Sequence, residues 1–176
     1  MTDNARTETS PPAGIDARTF WRTLGQRATG MTIVTAQSDE GPTGFLGLSA
    51  AHVSADPATM LVSIDQKTSA LAGVVSRRHF AINYLPANAA ALVDAFGGRG
   101  GVSGAARFEG HEWITLASGA PILKAALGAF DCAVEQIVEH GAVSIVIGRV
   151  LAVHGSEGEP LIFFQGKSWR GLGGPA

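Results

Sequence analysis

Side chains able to do chemistry are few in this chain, and their spacing defeats the common catalytic arrangements. Gly166-Lys167-Ser168 has the ending of a phosphate-binding loop, but that loop needs a glycine at position 161, which is Leu. The glycines at 98, 100, 101 and 104 miss the G-x-G-x-x-G order, and they follow a helical pattern where a dinucleotide fingerprint follows a strand. Gly47-Leu48-Ser49-Ala50-Ala51 approaches a nucleophile elbow but lacks its last glycine. It also runs into Asp56-Pro57 with no room for the helix that such an elbow requires. The histidines at 52, 79, 111, 140 and 154 are scattered, and no Cys/His cluster has zinc spacing. Cys132 stands alone, so an internal disulfide is excluded, and its apolar strand marks it as inert core. No catalytic side chain and no metal ligand is assigned.

The elements that carry these residues are legible from periodicity. Asp16 is placed to cap a helix over 17–27 whose Phe20, Trp21, Leu24 and Ala28 share a face. Strands are expected at 31–36, 44–48, 60–65 and 80–85, a short helix at 70–76, and an Ala-rich helix at 87–96. A glycine-dense loop spans 97–110. Two long strands, 130–138 and 143–154, turn at His140-Gly141, and a short strand at 161–165 precedes a Gly-rich tail. Strands outnumber helices, βαβ alternation is absent, and the last three strands are closely linked. The expected class is mainly β with flanking helices, an antiparallel sheet curled into a barrel. Residues 15–170 form the domain, between tails at 1–14 and 171–176. Trp21 and Trp113 read as packing residues.

Composition narrows the function. The 176 residues are 45% hydrophobic and 16% charged, against about 25% charged in an average soluble protein. Thirteen Lys+Arg against fifteen Asp+Glu give a net charge of −2, so no basic excess is available for nucleic acid. Residues 1–14 lack the apolar segment of a signal peptide, and the Val143–Val153 run is interrupted by Gly148 and Arg149, well short of the ~20 residues of a membrane span. The expected location is the cytoplasm. So low a charge fraction also suggests that a second subunit covers part of the surface.

Six segments in register carry a resemblance: FWRTLGQRATGMTIVTA, GPTGFLGLSAAHVSADPATMLVSIDQKTSAL, HFAINYL, ARFEGHEW, GAPILKAALGAFDCAVE and SIVIGRVLAV. In this order the chain resembles the short-chain flavin reductases, the reductase partners of two-component flavin monooxygenases, over about residues 18–170. The resemblance implies an FMN-binding split β-barrel that forms a homodimer. It also implies a reaction in which NADH or NADPH reduces FMN or FAD, which then passes to a partner oxygenase. Hydride moves directly between stacked rings, so no side-chain acid, base or nucleophile is obligatory. A chain without a triad suits that chemistry, as it also suits a purely structural protein.

Carried over by position, the flavin slot falls on Gly47, Leu48, Ser49, Ala50, Ala51, His52 and Ser54, where small residues let backbone N–H groups approach a planar ring. The alternative is a strand end kept small to relieve crowding. His52 contacts flavin or is an exposed loop histidine. The phosphate end falls on Asp65, Gln66, Lys67, Thr68 and Ser69, ahead of a helix N-terminus that attracts anions; its alternative is a plain helix cap. Asn83, inside an apolar strand, needs amide partners from the barrel or from the cofactor. Trp169 and Arg170 line the nicotinamide side or a dimer contact.

Departures from the family pattern fall on the nucleotide side. Phe164 stands where members often carry a His that helps hold the nicotinamide dinucleotide, and Ala142-Val143 replaces an Asp-His pair. Leu46 and Leu48 replace Thr and Asn at flavin-contacting positions. These departures keep open a second reading, a barrel of the same fold that binds flavin or another planar cofactor without turnover.

Overall fold

The computed structural model describes residues 14–171, so the expected tails at 1–14 and 171–176 lie almost wholly outside the described residues. Asp16 opens helix α1 (Ala17–Leu24) as expected, accepting from the Thr19 backbone N–H at 2.9 Å and from its hydroxyl at 2.8 Å. The helix stops short of Arg27. Gly25 donates to the Trp21 carbonyl at 2.9 Å, and Gln26 and Arg27 tighten to shorter-range bonds with Thr23 and Leu24.

The strand expected at 31–36 is divided into β1 (Thr29–Gly30) and β2 (Thr32–Ser38). Met31, between them, donates to the Leu161 carbonyl and accepts from the Leu85 N–H. There follow β3 (Gly41–Gly47), β4 (Ala51–Ala55), β5 (Ala58–Asp65), α2 (Ala70–Arg77), β6 (His79–Tyr84) and α3 (Ala90–Phe96). The glycine-dense segment holds a 3-10 turn, Gly104–Phe108. It is tied down by Arg107, whose guanidinium donates to the Gly44 carbonyl at 3.0 Å and to the Val102 carbonyl at 3.3 Å. The remainder is β7 (Trp113–Thr115), β8 (Pro121–Leu123), β9 (Gly128–His140), β10 (Val143–Gly155), β11 (Leu161–Phe164) and β12 (Lys167–Arg170).

Seven strands form one antiparallel sheet in the order β3-β2-β6-β9-β10-β5-β4. Its two edges, β3 and β4, are consecutive in the chain and separated only by Leu48, Ser49 and Ala50. The two edges of a seven-stranded sheet can be joined by so short a link only if the sheet curls round until they approach each other. The mainly β barrel with flanking helices is thus the observed class. A small sheet, β1-β11-β12, and the β7-β8 ribbon complete it.

Both faces of the central strands are covered. In β2, Ile33 joins a core with Leu85, Leu92, Phe96 and Ile122, while Val34 joins another with Val62, Ile64, Phe80 and Val146. That two-sided burial is why Thr32–Ala36 is buried without interruption, since strict alternation is expected only where one face meets water. β4, β7, β8 and β12 were not foreseen. They are short, and β12 is exposed at all four residues, so no apolar alternation marks it. Among the described residues, no helix is long and apolar enough to cross a membrane.

Candidate functional site

The segment Gly47–Ser54 is the link that closes the barrel. Gly47 is buried where a Cβ would lie 3.2 Å from Val34 Cγ2 and 3.3 Å from Thr32 Oγ1, so the close approach favours glycine. Its carbonyl accepts from the Thr32 hydroxyl at 2.7 Å. Ser49 pins the link to β5, its hydroxyl accepting from the Ser63 N–H at 3.1 Å and donating to the Ser63 carbonyl at 3.0 Å. Leu48 lines a cavity of about 550 Å³ together with Trp21, Leu24 and Phe163. Ala50, Ala51 and His52 line another of about 430 Å³ with Tyr84 and Phe130. The link therefore borders two hollows. Its hydroxyls are spent internally, for Ser54 bonds the Asp56 backbone as Ser49 bonds Ser63. What remains is backbone and small apolar surface, a fit for a flat ring.

Two residues beyond Ser63, the chain turns at Asp65, whose carboxylate accepts from the Lys67 N–H at 2.8 Å and whose carbonyl accepts from Thr68 N–H at 2.8 Å. Gln66 is locked to the β9–β10 hairpin. Its N–H donates to the Ala142 carbonyl at 2.9 Å, and its amide donates to Glu139 at 2.7 Å. Glu139 also accepts from the Ser144 hydroxyl. Ser69 precedes α2 without capping it by its side chain, and among the described residues Lys67 enters no ion pair. An exposed amine and two hydroxyls at a helix start make a donor set that fits a phosphate.

At the opposite end of the chain, β11 and β12 hook onto α1. Gln165 donates to the Gly25 carbonyl at 2.9 Å and to the Gln26 amide oxygen at 3.0 Å. The Phe164 ring sits 6.5 Å from that of Trp169, whose indole N–H donates to the Phe164 carbonyl at 3.1 Å. Phe163, the neighbour of the expected residue, reaches the Leu48 cavity. Arg170 ends β12, exposed.

Asn83 stands apart from these segments. It is fully buried, and its amide nitrogen donates to the Ile33 carbonyl and the Thr35 hydroxyl while its oxygen accepts from Leu123 N–H at 2.8 Å. Both ends of the amide are taken up by the barrel, so of the two partners expected for it the barrel supplies them all. Cys132 is buried beside Asp131, and burial pushes its thiol up to about 12, the behaviour of a core residue.

The structure thus ties the segment expected as the slot to the strand that leads to the expected phosphate end through Ser49–Ser63, and brings Leu48 and β11 to one cavity. Sequence reasoning missed Arg22, Arg27 and Gln165 in that cavity, and it placed Trp21 in packing although that residue is 65% exposed in the single chain. The amphipathic period of α1 was a true signal. It marks an apolar face that this chain alone does not bury.

A curled antiparallel sheet thus carries, near its meeting edges, a link of backbone and small residues and, beyond Ser63, a helix-start donor set. Residues 24–171 match the flavin reductase like domain, and the chain belongs to that family. It is similar to the FMN reductase (NADH) RutF 2 of Methylorubrum extorquens, 32% identical over 94% of this chain and 95% of the relative. It is also similar to HsaB, the reductase subunit of a flavin-dependent monooxygenase of Rhodococcus jostii, 31% identical over 87% of this chain and 77% of the relative. Among solved structures, the NADH:FAD oxidoreductase SgcE6 of Streptomyces globisporus matches with a TM-score of 0.79 and 26% identity, covering 92% of this chain and 99% of that one.

Proposed function

We propose that this protein is an NAD(P)H:flavin oxidoreductase that supplies reduced FMN or FAD to a partner monooxygenase. The observation that carries the reading is the meeting of a family match across 24–171 with a cleft whose two ends suit the two ends of a flavin. The Leu48–His52 link would hold the isoalloxazine, and Lys67, Thr68 and Ser69 would hold the phosphate. Flavin, when held there, would supply the redox chemistry by taking hydride from a nicotinamide. The chain orients the rings, excludes water with Trp21, Leu24 and Phe163, and presents peptide N–H groups to the ring edge where negative charge develops. Asn83 holds the barrel beneath and is left out of this assignment.

The active form is a homodimer in the cytoplasm. Phe20, Trp21 and Leu24 form an apolar face that one chain leaves open, and a second copy covering it fits the low charge fraction.

Titration with FMN and FAD tests the binding: flavin fluorescence falls at micromolar protein, and NADH or NADPH is then oxidised. Lys67→Ala with Thr68→Ala weakens FMN by about 1.5–3 kcal/mol, the scale of bonds to a charged group, and leaves riboflavin unaffected. No quenching with either flavin sinks the reading. A second reading, a flavin binder without turnover, is favoured by one observation: Phe164 replaces a nucleotide-holding His and is engaged with Trp169. Flavin binding without reduction by either nucleotide would put that reading in place of the first.

A further inference from the structure

Beside the phosphate end lies a third hollow, of about 520 Å³, within the ~300–1,000 Å³ range of small-molecule sites. Its walls come from three places: α2, the β2–β3 turn and residues 103–105. They are fixed. Gly73 seats α2 so tightly on the turn that a Cβ there would lie 2.9 Å from Thr43 Cγ2 and 3.2 Å from the Gln37 carbonyl oxygen. Arg77 on α2 is paired with Asp39, and Arg107 holds the third wall to β3 through the Gly44 carbonyl. Ser69 belongs to this hollow and also to the shallow surface formed by Gln66, Lys67 and Thr68.

We propose that this hollow receives the adenylate half of FAD, so that the chain binds the dinucleotide flavin in preference to FMN. The inference rests on the reading that the flavin phosphate sits on Lys67–Ser69. A phosphate there stands at the mouth of the hollow. In FMN it ends the molecule; in FAD it continues into a second phosphate, a ribose and an adenine. The chemistry of the walls suits the last two. Glu40 has no ion-pair partner among the described residues, and Thr43 and Ser103 offer hydroxyls. A carboxylate and hydroxyls accept from ribose hydroxyls and the adenine amino group, and the acidic turn repels a further phosphate deeper in.

An adenylate could also arrive on the pyridine nucleotide, and the experiment separates the two sources. Kd values for FMN and FAD are read from fluorescence quenching, and KM for NADH from steady-state oxidation. Ala105→Trp and Glu40→Trp fill the hollow from two different walls at exposed positions outside the phosphate surface, and a thermal melt checks their folds. We expect wild-type FAD to bind about tenfold more tightly than FMN, a difference of about 1.4 kcal/mol. Both variants remove that advantage and leave FMN binding unchanged, and ADP displaces FAD but not FMN. Equal affinity for the two flavins in the wild type, or equal losses in the variants, overturns the proposal while the flavin reading stands. A rise in KM for NADH with FAD binding intact assigns the hollow to the nucleotide and also overturns it. Failure of either flavin to bind is a different result, which removes the functional reading and this inference with it.

Discussion

At the scale of single residues, the polar groups inside the barrel are fully committed. Asn83 bonds β2 and β8 from β6, so replacing it with Leu leaves the Leu123 N–H and the Ile33 carbonyl without their side-chain partner. A loss of about 2–4 kcal/mol is expected in denaturant unfolding, with FMN affinity of the folded fraction unchanged. His79 gives a pH signature. Desolvation lowers its pKa from the usual 6.5, and its ring accepts from the Gln37 N–H while facing the Arg77 carbonyl, an arrangement for the neutral form. A depressed histidine pKa means the unfolded chain takes up the proton first. The contribution of His79 is therefore complete above pH 6.5 and is lost as pH falls through the lower folded value. Unfolding free energy followed from pH 8 to 5 declines, and His79→Gln flattens that decline. From sequence, Asn83 was balanced between barrel and cofactor because an amide in an apolar strand announces a need for partners without naming them. The partner on β8 lies in a three-residue strand with no pattern of its own.

Elements were legible where burial imposed a period and illegible where it did not. The long β9–β10 hairpin was found nearly whole, with only its ends extended. Within it, Gly148 looked from sequence like an interruption of an apolar run. In the structure it sits at a register shift against β9, where a Cβ would lie 2.5 Å and 2.8 Å from Phe80 ring atoms and 3.1 Å from the Ala133 carbonyl oxygen. Gly148→Ala must displace the largest fully buried side chain, and a cost of about 1–3 kcal/mol is expected in a thermal melt. Phe80→Leu, which vacates the ring position, restores part of the loss in the double variant. α1 was read too long because its apolar face continues past Gly25, and periodicity cannot report that the chain has already turned. β12 escaped because an exposed edge strand has no buried face to mark it.

For the molecule as a whole, the open apolar face of α1 sets the assembly prediction. Sedimentation velocity is expected to give a dimer at micromolar concentration, and Trp21→Ser with Leu24→Ser to give monomer. A wild type that sediments as a monomer would remove the dimer from the proposal. The segment expected as a phosphate end is placed by position from the family resemblance, whereas the way the Leu48–His52 link borders two hollows is not legible, since it depends on β3 and β4 meeting across a curled sheet. The three walls of the adenylate hollow are likewise distant in sequence, drawn from residues near 40, 70 and 104.

That same topology bears on the order of events during synthesis. β1 pairs with β11, Thr29 opposite Phe163, and Met31 is bonded on one side to Leu161 and on the other to Leu85. The sheet can assemble β2, β3 and β6 early, but the floor of the Leu48 cavity waits for residues 161–165 to emerge from the ribosome. Pairings separated by so much chain are slow to find one another, and until they close, the α1 face and the unpaired β1 edge stand exposed to aggregation. Chaperone dependence and yield on expression should therefore respond to changes in β11 more sharply than to equal changes in the early β2–β3 hairpin. A ribosome-stalled nascent chain ending before Leu161 should remain protease-sensitive at Arg22 and Arg27.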